Sequence, residues 1–260
     1  MAKILDRIIL KIRTYNVSPF PFWIRLVMYS IPSIIFIISS LLLWELYIAI
    51  RDIDIIIAPP PSAIWDRFWD SPEFFLEHGG WTLYESFLGL LLGSAIAMGC
   101  AVAMTHSHIA EKTILPTAIL VKVTPIVAIS PILVTWFGLG NIMPKIIIAA
   151  LISFFPLLIN AMTGFRSMDP NTLSFFRTLD ASKWQIFFKL RLPSSMPYLF
   201  SALKVTIPLS IIGAVVAEWF SGNHGLGLII FVANNNLDTP TVFAAIGVLS
   251  ATNPAMFVGV

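Results

Sequence analysis

Charge is what this sequence lacks most. Only 12% of its 260 residues are Asp, Glu, Lys or Arg, about half of what an ordinary soluble domain carries. With 57% hydrophobic residues and a mean hydropathy of +0.87, a water-soluble fold could not hide its apolar surface. The solvent is therefore a bilayer. A net charge of +2 and the want of an arginine-rich arm exclude nucleic acid as a partner. The single cysteine, Cys100, rules out an internal disulfide or a cysteine-based zinc site and reads as a small core residue. The chain contains no Gly-Lys pair, so it has no P-loop to hold ATP phosphates. No nucleophile–base set is visible, so the chain is expected not to be an enzyme and to bind no cofactor or metal of its own. The spacing His106-x-His108 has no visible third ligand, and His224 stands alone in a loop.

What the chain has is long apolar runs. Six segments meet the length of about 20 residues that a spanning helix needs: about 26–50, 81–105, 113–138, 142–165, 198–220 and 239–260. The expected fold is an all-α integral membrane protein of about six transmembrane helices. Residues 1–25 form a basic leader, and 26–260 a transmembrane domain with a polar loop at 166–197. The leader does not follow the pattern of a cleavable signal. Within residues 3–13, Lys3, Arg7 and Lys11 share one helical stripe, and Ile4, Leu5, Ile8 and Ile12 another. The segment suits either an anionic membrane surface or solvent.

Lysine and arginine placement orients the spans. Lys3, Arg7, Lys11, Arg13, Arg25, Lys112, Arg166, Arg177, Lys183, Lys189 and Arg191 fall on one side, and Arg51, Arg67 and Lys145 on the other. Eleven against three predicts a cytoplasmic N-terminus. On the outer side, Trp65, Phe68 and Trp69 suit an interfacial belt, and Asp66, Asp70, Glu73 and Glu77 suit a solvated loop face ahead of a cation site. The short apolar stretch LGLIIFVA (226–233) is too short to span and suits a re-entrant piece.

The third span holds Pro116, Pro125 and Pro131. Prolines this dense kink or break a helix, and freed backbone groups must face protein or water. This span, with Lys122, Pro125 and Pro131, is the leading candidate for a translocation path. Its bland alternative is a kinked packing helix. Lys122 either snorkels to the near interface or lines an inner vestibule that attracts anions. Glu218, near the outer end of span five, either meets a substrate, pairs with the last loop or is an ordinary interfacial acid. Glu45 and Glu85 read as acids near their own outer boundaries.

The loop between spans four and five is more structured than a connector needs. Asp169 and Pro170 form an N-cap and first-turn proline, starting a helix of about ten residues that is too short to cross the bilayer. Asp180 ends it and is expected to cap a second helix. Trp184, Phe187 and Phe188 are expected to anchor that helix, and Pro193 and Pro197 to stop it before span five.

This loop resembles the cytoplasmic signature of permease subunits of binding-protein-dependent ABC importers, which reads E-A-A, three residues, Gly, nine residues, Ile, any residue, Leu-Pro. Leu190, Leu192 and Pro193 match its end. Asp180 stands at the Gly position, and Ser174, Phe175 and Phe176 at E-A-A. WFGLG (136–140), FFPLLIN (154–160) and AEWF…GLGLII (217–230) resemble the branch handling nitrate, sulfonates, taurine and vitamin precursors. The likeness covers nearly the whole chain.

The resemblance implies a coupling helix that docks on ABC ATPase subunits, with Ser174, Phe175, Phe176, Arg177, Leu179, Asp180, Ala181, Ser182 and Trp184 as the coupling residues. It implies that ATP and Mg are bound on those partner subunits. It also implies a second permease copy, most simply in a homodimer, an extracytoplasmic substrate-binding protein, membrane lipid around the spans, and residence in a bacterial cytoplasmic (inner) membrane. The alternatives are an ion-coupled secondary transporter, which needs acids or histidines at mid-membrane, and a membrane scaffold.

Overall fold

The computed structural model describes residues 22–257; the helix expected over residues 3–13 lies outside them. Every regular element among the described residues is helical. The chain divides into two units, the first taking in residues up to Asp54 with Pro60–Ser62, the second Ile55–Pro59 and everything from Ala63 onward.

The first unit is α1 (Phe22–Arg51). Its part from Ile31 to Arg51 is long and apolar enough to span a membrane, and almost all of that stretch is exposed, as a lipid-facing helix should be. Glu45 accepts two hydrogen bonds from Ser62, from the backbone N–H at 3.1 Å and from Oγ at 2.7 Å.

In the second unit follow α2 (Pro61–Asp70, from Ala63 on), α3 (Pro72–His106), α4 (His108–Val123), α5 (Ile126–Phe137), α6 (Met143–Arg166) and α7 (Pro170–Thr178). Then come α8 (Lys183–Ile186), a π-helical turn (Phe187–Arg191), α9 (Leu192–Ser221), α10 (Leu226–Asn235) and α11 (Thr239–Phe257). Its centre is three long helices, α3, α6 and α9, held close by small residues. Gly89 and Gly93, a G-x-x-x-G pair on α3, abut Ala149 and Ala150 of α6. A methyl on Gly93 would come within 2.6 Å of the Ala150 carbonyl oxygen. Gly213 of α9 lies against the same stretch, where a methyl would meet the Ala149 Cα at 2.7 Å. In lipid there is no hydrophobic drive between apolar helices. Close backbone approach through small residues supplies the packing instead.

Around this centre are three apolar clusters. Met104, Leu158, Ala161, Phe165 and Phe187 fill one end. Phe75, Leu226, Ile229 and Val248 fill the other. Leu133, Ile148 and Ala217 lie apart from both.

The second and third spans differ from expectation. The second begins at Pro72 rather than near 81, because Gly79 and Gly80 continue the helix and Gly79 packs against Val248 and Leu226. The third is two helices, α4 and α5, bent 93° apart. The bend falls at Thr124-Pro125, where Thr124 is extended (φ −69°, ψ 131°), as a residue before proline prefers. The sixth, α11, is a helix of 19 residues from Thr239 to Phe257, of which Thr239–Thr252 is a shorter apolar stretch. Among the described residues four helices are long and apolar enough to cross a membrane, five where the bent pair is counted as one span.

Candidate functional sites

The loop after α6 is a helical pair. Asp169 caps α7, its carboxylate accepting from Thr172 N–H at 3.0 Å and Thr172 Oγ1 at 2.9 Å. Those bonds, the backbone one foremost, hold the carboxyl below the usual range. The C-terminus closes in a Schellman motif: Ala181 N–H donates to Phe176 O at 3.2 Å and Asp180 N–H to Arg177 O at 3.1 Å. Asp180 occupies the left-handed position at φ 54°, the place where the family signature carries Gly. It therefore cannot cap the second helix. Ser182 does so instead, in a reciprocal capping box with Gln185: Gln185 N–H donates to Ser182 Oγ at 3.3 Å, and Ser182 N–H to Gln185 Oε1 at 2.7 Å.

The expected stop at Pro193 and Pro197 does not occur. Residues Lys183–Ser221 form one continuous helical run. The π turn absorbs the register: Leu192 N–H reaches back five residues to Phe187 O. Pro193, which has no N–H to donate, therefore follows the turn as a first-turn residue of α9.

Phe187 anchors the segment, buried against Phe165 at 5.1 Å between ring centroids. Phe188 does not; it is exposed and stacks on Trp184 at 5.8 Å. Ser174, Phe175, Arg177, Leu179, Asp180, Ser182 and Trp184 are exposed, Phe176 and Ala181 half-buried. Phe175, Leu179 and Trp184 are each about 60% exposed; large apolar side chains left open on a solvent-facing helical pair are of the kind that marks a protein contact.

At the other end of the bundle α3, α6, α9 and the loop before α10 share a buried polar cluster. Lys145, counted from the sequence among the outer-side charges, is 1% exposed. Its Nζ donates to Glu85 Oε1 at 2.7 Å and to His224 O at 3.2 Å. Glu218 is also fully buried. It accepts from Thr82 Oγ1 at 2.7 Å and from Gly227 N–H at 2.5 Å. Thr82 Oγ1 in turn accepts from Leu226 N–H at 2.9 Å, and His78 Nδ1 from Gly225 N–H at 3.0 Å. The carboxylate and its neighbours thus take up the free N–H groups that open α10. Gly225 (φ 111°) is required here, since a Cβ would fall on the Glu218 carboxyl. His224 is not isolated; its ring stacks on Trp81 at 4.7 Å.

The signal for this cluster was in the sequence as ionisable residues inside apolar runs. What was not there was that Glu85, Lys145 and Glu218, 60 and 73 residues apart in turn, converge.

The bend between α4 and α5 adjoins a pocket of about 360 Å³ lined by Lys122, Ile126, Phe155, Pro156, Asn160 and Leu209 among others. Lys122 Nζ lies 4.6 Å from the Phe155 ring centroid, a cation–π contact. Pro125 starts α5 at the bend, and Pro131 is exposed along it. Glu218 does not line this pocket. His106 and His108 are engaged locally, His106 Nδ1 with Val102 O at 2.9 Å and His108 with Glu111 at 3.5 Å. No group of three potential ligands that could hold a metal occurs among the described residues.

The chain is similar to known proteins along most of its length. The family model described as "Binding-protein-dependent transport system inner membrane component" matches residues 89–258. A "Probable ABC transporter permease protein" of Haemophilus influenzae is 30% identical over 217 residues, 84% of this chain and 88% of the relative. A "Formylaminopyrimidine transport permease protein" of Halalkalibacterium halodurans is 29% identical over 83% of this chain and 86% of its own length. A "Riboflavin transport system permease protein" of Chloroflexus aurantiacus is 30% identical over 84% and 82%.

Proposed function

The chain belongs to the family of inner-membrane components of binding-protein-dependent transport systems, the permeases of ABC importers, and from that premise we propose how its parts divide the work. It is a transport subunit and not an enzyme, integral to the inner membrane, and its system includes an ATPase and a substrate-binding protein. Residues 170–184 are the coupling element. Ser174, Phe175, Phe176, Arg177 and Leu179 form the docking helix, and Asp180, Ala181, Ser182 and Trp184 its turn and exit. ATP and Mg belong to the ATPase chain. The observation that carries this is the exposure of Phe175, Leu179 and Trp184 on a helical pair too short to span, rooted in the bundle through Phe187.

The coupling loop and the N-terminus are cytoplasmic. With Lys145 buried in an ion pair, the charge asymmetry rests on eleven basic residues against Arg51 and Arg67. The bent α4–α5 pair, with Lys122, Pro125 and Pro131, lines half of a translocation path that a second copy of the chain completes in a lipid-embedded homodimer. Glu218 braces the opposite end of that path by holding α10. The cargo is a small solute delivered by the binding protein, of the small-anion or pyrimidine and vitamin-precursor kind. The names of two relatives, for formylaminopyrimidine and riboflavin, favour a heterocycle.

The test pairs transport with assembly. Arg177→Glu with Leu179→Asp should abolish uptake and ATPase co-purification while the protein still inserts. Normal uptake in that variant would end the coupling assignment. Calorimetry on the binding protein against heterocycles, taurine and nitrate identifies the cargo class.

A further inference from the structure

A second polar cavity, of about 320 Å³, lies where three elements meet: the end of α3 (Thr105, His106), the coupling helix (Leu173, Arg177) and the segment that follows it (Ala181, Lys183, Ile186, Arg191). Its charged lining is of one sign. Among the described residues no carboxylate pairs with Arg177, Lys183 or Arg191. Of the acids nearby in the chain, Glu111 pairs with Arg166 at 2.9 Å and Asp169 caps Thr172, and Asp180, exposed on the turn, does not line the cavity. Arg191 is only half exposed, and the positive charges of Arg166 and Arg177 bear on it. Like charges gathered around a cavity repel one another, and a bound anion relieves this.

The walls are set in place. Thr105 Oγ1 donates to Ala101 O at 2.7 Å, His106 is held by Val102 O, and its ring packs against Trp184 at 5.3 Å. Ile186, buried, contributes an apolar wall. Two guanidinium forks and an ammonium suit a tetrahedral oxyanion of more than one charge better than a halide or a single carboxylate. The volume leaves room for an organic body behind it.

We propose that this cavity is a binding site for a phosphate group of the monoester type, presented either by an anionic phospholipid or by a small soluble phosphate. The site goes beyond the importer reading and does not depend on ATPase docking. Because its cations come from both sides of the Asp180 turn, a bound phosphate ties the coupling helix to the segment that follows it and stiffens the lever. Basic pockets at the ends of membrane helices commonly take lipid headgroups; the cavity lies where α3 ends and the run toward α9 begins.

The experiment is done on the full-length permease alone, in phosphatidylcholine nanodiscs at constant ionic strength. One arm titrates inorganic phosphate by calorimetry. The other measures retention of phosphatidic acid by native mass spectrometry. Saturable binding in the first arm alone assigns the soluble source, selective retention in the second alone assigns the lipid, and both together support the shared chemistry. Arg191→Gln and Arg177→Gln should each weaken binding by roughly ten- to a hundredfold, the worth of one charge-assisted hydrogen bond, and Arg191→Lys should restore part of it. Lys183→Gln, at an exposed position, gives the same test if Arg191→Gln does not fold. Binding in neither arm, or binding unchanged in folded variants, overturns the proposal and leaves the importer assignment intact.

Discussion

Removing Lys145 should be among the most damaging single changes available outside the apolar core. Its ammonium and the Glu85 carboxylate are each 1% exposed and 2.7 Å apart. Lys145→Met leaves that carboxylate buried without its cation. It also drops the bond to His224 O, one of the contacts holding the loop before α10. Breaking a buried pair from one side costs about 3–5 kcal/mol, whereas replacing both partners with apolar residues of similar size is often neutral or better. At about 2–4 °C per kcal/mol for a chain of this size, the single variant should melt roughly 6–20 °C lower in detergent. The double variant Lys145→Met/Glu85→Leu should recover most of that loss. The comparison between single and double is the measurement that matters, since a simple packing defect would add rather than cancel. A single variant that melts with the wild type, or a double that melts below both singles, would refute the reasoning that this pair is buried and coupled.

Gly213→Ala should destabilise the bundle by about 1–3 kcal/mol through overpacking, because the new methyl would meet Ala149 backbone at 2.7 Å and backbone cannot step aside; thermal unfolding checks it, and no change would mean the α6–α9 contact is looser than described. Asp180→Gly should stabilise the 170–184 loop by up to about 1 kcal/mol, since a left-handed Cβ conformation is relieved, seen as slower amide exchange over 170–181. The Asp169 cap has a definite pH sign. Its folded pKa is depressed, so its contribution is complete above the ordinary carboxylate pKa of about 3.9 and is lost as pH falls through the lower folded value. Amide exchange at Thr172, corrected for intrinsic rate, should therefore accelerate in acid in the wild type, and Asp169→Asn should abolish that pH dependence.

Much of the local structure was legible because its causes are local. Asp169-Pro170 starts a helix wherever it stands, Thr124-Pro125 breaks one, and apolar runs of spanning length declare their solvent. Where reading along the chain failed, a non-local or register effect had won. Asp180 could either cap a helix or turn left-handed, and the Schellman bonds to Phe176 and Arg177 chose the turn, passing the cap to Ser182. Pro193 stops a helix only if its position owes a donor, and the π turn before it removes that debt.

From its order of residues alone this chain had to be helical, had to live in a membrane and could not carry its own P-loop, since composition and spacing require no knowledge of neighbours. Only the folded arrangement decided that Lys145 is buried rather than solvated, that Glu218 serves the start of α10, and that three unpaired cations face one cavity. Each of these depends on distances between residues far apart in the chain. Low dielectric then makes such convergence costly unless charge is matched, and a one-dimensional reading does not contain those distances.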